Sequence, residues 1–419
     1  MDRHAHTGST LPPGPRSLAA RRPFLTAFAL SLGAAVSLGL TRFSYALLLP
    51  PMRADLGWSY FLSGAMNTGN ALGYLLGALA TPALMRRYGA QAALVGGAIL
   101  ASLFMLLSGF VVDASLLIGQ RVLAGIASAF IFISGGLLAA RLGLLHPERS
   151  GLLLGIYYGG TGLGIVASAL LVPLAMDAAA AHGAAHAWQW AWIALAALCL
   201  LATLAMLKPA RQVDGAPSKA GGQGCFSVKL FGFGLAGYLM FGVGYIGYMT
   251  FVIALLREQG MGAATITLFY AMLGLAVMAS SRIWARMLDR FKGGQAMAIL
   301  NGLLGVATIL PALTSAPALM FVSGLMFGGI FLSVVASTTA LVRHNLPQHA
   351  WSSGISAFTI VFALGQIVGP SVIGWIADGP GGLQRGLVFS ALALFAGALL
   401  ASRQQPLEDN RITAGFRAD

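Results

Sequence analysis

Three arginines stand inside runs of residues that are otherwise apolar: Arg42, Arg121 and Arg282. A guanidinium stays charged and presents its N–H donors in a planar fork, which suits a carboxylate or a phosphate. Arg42 is the deepest of the three. It is the only charged residue between positions 24 and 52, and the nearest acid, Asp55, lies ~20 Å farther along a helix. An arginine at mid-membrane costs about 2.5–3.5 kcal/mol on insertion scales. Arg42 must therefore face water, a hydrogen-bonding partner or a ligand, and Tyr45 shares its helical face. Arg121 follows Asp113 and fits either a structural role, bonded to an acid or to carbonyls, or a second anion contact. Arg282 lies near the end of its run and can snorkel.

Other polar side chains recur at helical spacing. Asn67, Asn70 and Tyr74 form one face, opposite a stripe of Gly69, Gly73 and Gly77. The stripe lets a neighbouring helix approach, and the two amides either bond helices together or line a cavity. Tyr238, Phe241, Tyr245 and Tyr248 share another face, with Tyr157, Tyr158, Thr161, Thr359, Phe362 and Gln366 as further candidate walls.

The acids are informative by position. All 12, from Asp2 to Asp419, fall in tails, loops or span ends. A transporter that trades a cation for a proton needs a buried carboxylate, and none is expected here. A cavity holding arginine without acid has positive potential and attracts anions. Nothing suggests catalysis: no convergent nucleophile, base or metal ligands fall within the apolar runs. Two Gly-x-Gly-x-x-Gly matches, at 232–237 and 242–247, lack the preceding strand of a dinucleotide site and read as helix packing. Cys199 and Cys225 make no disulfide framework, and the seven His show no metal spacing. No cofactor is expected.

Positioning these residues falls to membrane helices. Of 419 residues, 58% are hydrophobic and 9% charged, against roughly 25% charged in soluble domains. The apolar residues come in runs long enough to cross ~30 Å of hydrocarbon. Twelve such runs are expected: 24–50, 60–84, 90–111, 115–140, 150–175, 188–207, 229–256, 263–287, 295–314, 317–342, 351–376 and 383–402. The net charge of +13 is spread between the runs, which excludes a nucleic-acid surface. Nineteen of the 25 Lys and Arg fall on the side of both chain ends and three (Arg53, Arg257, Arg385) on the other. That bias places both termini in the cytoplasm of a multi-pass protein of the bacterial inner membrane. "RRPFL" at 21–25 then anchors the first helix and is not an export signal.

The pattern divides as a tail at 1–23, a six-helix bundle at 24–207, a polar linker at 208–228, a second bundle at 229–402 and a tail at 403–419. The halves match at a constant offset of 203: Tyr45 with Tyr248, Asp55 with Glu258, Gly57 with Gly260, Gly125 with Gly328, Gly151 with Gly354 and Gly162 with Gly365. Duplicated halves are a transporter architecture with a site between them near the midplane.

These residues resemble the major facilitator superfamily. "MRRYGAQ" at 85–91 stands where its loop signature belongs, with Arg86 in the place of the usual Asp. Asp289-Arg290 is the second copy, Arg121 and Gly125 form an Arg-x-x-x-Gly element, and "GQIVGPSVIG" at 365–374 carries Gly-x-x-x-Gly-Pro. "RFSYALLLPPMRADLGWS", "NTGNALGYLLGAL" and "WARMLDRF" are similar to the YbfB/YjiJ-like bacterial group over residues 24–402. The resemblance implies an all-α membrane protein of twelve transmembrane helices in two pseudo-symmetric bundles. It also implies an inner gate near Arg86, Arg87, Asp289 and Arg290, and Asp289 is expected to contact the neighbourhood of Arg290 or a helix-terminal amide at the inner surface.

The expected function is secondary transport of a small solute by alternating access in a monomer, without enzymatic activity. The favoured solute is a small organic anion bound by Arg42 and Arg121, in a pocket shaped by Tyr45, Asn67, Asn70, Tyr157, Tyr158, Thr161, Tyr245, Tyr248 and Gln366. The alternative is a broad-range drug or metabolite exporter with aromatic walls. A membrane sensor or enzyme on the same fold is a third reading.

Overall fold

A computed structural model describes residues 21–213 and 226–407. They form twelve long helices: α1 Pro23–Leu56, α2 Tyr60–Tyr88, α3 Ala90–Ser108, α4 Ala114–Leu145, α5 Ser150–Ala181, α6 Ala187–Val213, α7 Gly232–Glu258, α8 Ala263–Ile283, α9 Gln295–Leu313, α10 Pro317–Asn345, α11 Trp351–Ala377 and α12 Gly382–Ser402. Eleven are long and apolar enough to cross a membrane. The twelfth, α2, has 29 residues, or ~44 Å of helix. Ser63, Asn67, Thr68 and Asn70 lower its hydropathy, and most of that polar face is buried against protein. Helix α6 runs to Val213, into the stretch expected as linker. The rest of that stretch through Cys225, with Asp214, and the tail acids Asp2, Glu408, Asp409 and Asp419 lie outside the described residues.

Helices α1–α6 pack chiefly among themselves, as do α7–α12, and the pairs α2/α11, α5/α8 and, less extensively, α1/α7 join the two sets. The end of the molecule where α1 begins and α12 finishes is called the terminal face, and the opposite end the distal face.

Glycine sets the closest approaches. A β-carbon on Gly73 would overlap the Val122 carbonyl of α4, and one on Gly125 would overlap the Asn70 carbonyl of α2. At the same offset of 203, a β-carbon on Gly328 would overlap the Leu273 carbonyl. The repeat also shows at the distal turns. Gly57 and Gly260 end α1 and α7 with φ of 65° and 81°, a left-handed conformation that costs glycine little. The following amides close equivalent bonds, Trp58 N to Arg53 O at 3.1 Å and Met261 N to Leu256 O at 3.0 Å.

Helix α1 departs from regular geometry. Ala35–Phe43 is a π-helical stretch, a wider coil that weakens the regular carbonyl pairing. In a membrane interior those carbonyls need new donors. Thr41 Oγ1 bonds Val36 O at 2.6 Å, Ser128 Oγ bonds Ser37 O at 2.8 Å, Ser44 Oγ bonds Leu40 O, Arg121 Nη1 bonds Thr41 O at 2.6 Å and the Tyr270 hydroxyl bonds Phe43 O at 2.7 Å. Gly39 meanwhile lets α1 press onto Gly164 of α5.

Candidate functional site

The π stretch of α1 carries Arg42 near its end and directs it into the bundle, where the side chain is 3% exposed. Among the described residues, its Nε and Nη2 have no hydrogen-bond partner and no carboxylate acts on it. The groups in electrostatic reach are the Tyr74 hydroxyl from α2, the Tyr245 hydroxyl from α7 and Arg121. The charge is therefore held among neutral hydroxyls beside a second cation. Among the described residues, no acid lies mid-span: Asp55, Glu258 and Asp378 stand at helix ends, Asp113 caps α4 and Asp177 is in the last turns of α5.

Arg121 is equally buried but differently placed. Its Nη1 donates to Thr41 O and its Nη2 to Asn67 Oδ1 at 2.9 Å. The guanidinium stands 5.1 Å from the Tyr45 ring and 5.7 Å from the Trp192 ring. Asn67 passes the chain on, donating to Thr250 Oγ1 of α7 at 2.8 Å. Arg121 thus stabilises the π stretch that carries Arg42 and links α4 to α2 and, through Asn67, to α7.

Rings from three helices surround this centre. Tyr245 stacks with Phe241 at 4.8 Å, Phe362 at 5.5 Å and Phe331 at 6.0 Å, with interplanar angles of 20°, 20° and 8°. Tyr238 continues the column on Phe362 at 4.9 Å. Toward the terminal face, Tyr158 sits against Phe132 and Tyr157 and keeps 40% of its surface exposed. On the distal side the two sets of helices are bonded together. Asp378 accepts from the amides of Tyr60 at 2.7 Å and Phe61 at 2.9 Å, Tyr60 OH bonds Glu258, and Thr68 Oγ1 donates to Ile367 O at 2.8 Å. Arg53 lies 3.7 Å over the Tyr60 ring.

A helical bundle closed on one side, with a polar centre and the family profile described as "Uncharacterised MFS-type transporter YbfB" matching residues 34–402, decides the family. The chain belongs to the YbfB-type family of the major facilitator superfamily. It is a membrane transporter, not an enzyme. Among solved structures, the nucleoside transporter NupG matches with a TM-score of 0.64 at 13% identity, over 96% of this chain and 100% of that one. A bacterial homolog of the human lysosomal transporter Spinster, inward-facing and unoccupied, matches with a TM-score of 0.65 at 15% identity, over 91% and 95%. These likenesses concern the fold. A chloramphenicol resistance protein of Streptomyces lividans is 24% identical over 86% of this chain and 92% of its own length. A probable chloroplastic anion transporter 4 of Arabidopsis thaliana is 29% identical over 32% of this chain, spanning 25% of that protein.

The transporter treats the expected site residues unequally. Arg42 and Tyr245 come together at the centre. Tyr45, Tyr157 and Tyr248 are buried with their hydroxyls committed to framework bonds: to Ser63 O at 2.9 Å, to Phe132 O at 2.7 Å and with Ser323 Oγ at 2.7 Å. Asn70 Nδ2 bonds Arg121 O at 3.2 Å, while its Oδ1 and the Thr161 hydroxyl are buried without partners. Gln366 is buried on α11. At the terminal face Arg86, Arg87, Asp289 and Arg290 are exposed. Arg87 rests 5.2 Å from the Tyr88 ring and Arg290 5.9 Å from that of Phe291. The contact expected for Asp289 is not made: it stands in solvent, where an ion pair gains little.

Sequence reasoning passed over Tyr74 as a central residue, although its spacing from Asn67 and Asn70 was the available signal. It also missed the distal closure by Asp378, Glu258 and Tyr60. No local pattern marks that closure, because Tyr60 and Asp378 are 318 positions apart.

Proposed function

We propose that the transporter carries a small organic anion bound at Arg42 and moves it by alternating access between the two faces. The observation that supports this is a deeply buried guanidinium with Nε and Nη2 unpartnered and no acid in reach. An uncompensated buried charge is strongly destabilising, so its presence at the midplane calls for a function. On this reading α1–α6 and α7–α12 are the two moving bundles, the terminal face is cytoplasmic in the bacterial inner membrane, and the described conformation has its distal side closed. The Lys and Arg bias supports that orientation. Arg121 holds Arg42's helix in shape through Nη1 and Nη2, while its Nε is unpartnered among the described residues.

The test is uptake or binding by Arg42→Lys and Arg42→Ala at equal membrane abundance. Lys keeps the charge but loses the fork, and a large loss in both variants is expected. Uptake by Arg42→Ala equal to that of the original transporter would reject the reading. A second reading, export of uncharged drugs over the aromatic walls, draws support from the resemblance to the chloramphenicol resistance protein. It predicts that Arg42→Ala keeps drug efflux while loss of the Tyr245–Phe362 column removes it.

A further inference from the structure

We infer that the anion bound at Arg42 is a carboxylate carried on a flat, unsaturated ring, an inference that rests on the anion reading above. The two unpartnered nitrogens, Nε and Nη2, form one edge of the guanidinium. Their N–H bonds run parallel, at a spacing that two oxygens of one carboxylate accept together. Arg121 gives Nη1 and Nη2 to Thr41 and Asn67, so Arg42 is the less committed of the two guanidiniums. The remaining carboxylate lone pairs have candidate donors, since the Tyr74 and Tyr245 hydroxyls are in electrostatic reach of Arg42 and make no hydrogen bond among the described residues.

The ring follows from what lies beside the charge. Tyr245 is one plate in a column of rings inclined by 20° or less, with Phe331, Phe362 and Phe241. Phe362 is only half-buried, so the column offers an accessible ring. Such a column accepts one more flat ring in offset stacking, whereas a saturated ring has no π-system to stack on it.

The test uses the purified full-length transporter in nanodiscs with five probes: benzoate, cyclohexanecarboxylate, acetate, inorganic phosphate and benzyl alcohol. Thermal stabilisation gives relative affinity, because a ligand that binds the folded state raises its melting temperature by mass action. Benzoate should bind about tenfold more tightly than cyclohexanecarboxylate and more tightly still than acetate, with phosphate and benzyl alcohol inactive. Arg42→Lys should abolish the benzoate response, and Tyr245→Leu should bring benzoate and cyclohexanecarboxylate level. Phosphate acting in place of carboxylates would overturn the carboxylate assignment and leave the anion reading standing. Equal affinity for the two ring acids would overturn the flat ring alone. Benzyl alcohol binding with no response to any anion would sink both readings. The probe comparison uses the unaltered transporter, so poor folding of a variant does not spoil it.

Discussion

Asp378→Ala should open the distal side of the transporter without unfolding it. The Asp378 carboxylate belongs to the end of α11 but accepts the first two amides of α2, Tyr60 N at 2.7 Å and Phe61 N at 2.9 Å. An acceptor at a helix N-terminus is typically worth about 1 kcal/mol, and a carboxylate adds favourable interaction with the positive end of the helix dipole. Asp378 is exposed, so water screens part of this, and a net loss of about 1–2 kcal/mol is expected. The loss applies only to the state in which α2 and α11 touch. It therefore shifts the balance between distal-closed and distal-open states by roughly five- to thirtyfold, at 1.4 kcal/mol per factor of ten. Spin labels at Phe110, before α4, and Gln384, in the first turn of α12, sit on exposed distal positions of the two sets of helices. Pulsed electron–electron distance measurement in nanodiscs should show a longer-distance population that grows in Asp378→Ala, less in Asp378→Asn. An unchanged distance distribution, with the melting temperature also unchanged, would refute the claim that this cap closes the distal side.

Removing Arg42 should stabilise the protein while ending transport. Arg42→Met relieves an unpaired buried charge, and an increase in melting temperature equivalent to about 1–3 kcal/mol is expected by thermal denaturation in detergent. Arg121→Gln should do the opposite, because it deprives Thr41 O and Asn67 Oδ1 of donors. About 1–4 kcal/mol of stability should be lost, read from the same melting curves. Gly73→Ala should sharply lower the yield of folded protein, since its β-carbon meets the Val122 carbonyl. Gly119→Ala, where nothing lies within 4 Å, should be neutral when the two are compared by size-exclusion profile.

What the sequence determined by itself is the membrane class, the twelve helices, the internal repeat and the special status of Arg42. Each rests on local physics. Backbone groups in hydrocarbon must pair within their own helix, so apolar run length reads directly as a span, and a charge in such a run stands out whatever the fold. The repeat was legible because left-handed turns at Gly57 and Gly260 and close crossings at Gly125 and Gly328 admit little but glycine. Tertiary structure decided which polar residues are framework and which are free. Arg42 and Arg121 look alike in sequence, yet Arg121 meets a carbonyl of a π-helical stretch on another helix and the Asn67 side chain, while Nε and Nη2 of Arg42 meet no partner among the described residues. Tyr45, Tyr157 and Tyr248 share the chemistry of Tyr74 and Tyr245, and only the position of an acceptor across a helix interface separates the two groups. The distal closure depends on α2 meeting α11. Such pairings arise from packing between segments hundreds of residues apart, and no periodicity within a single helix encodes them.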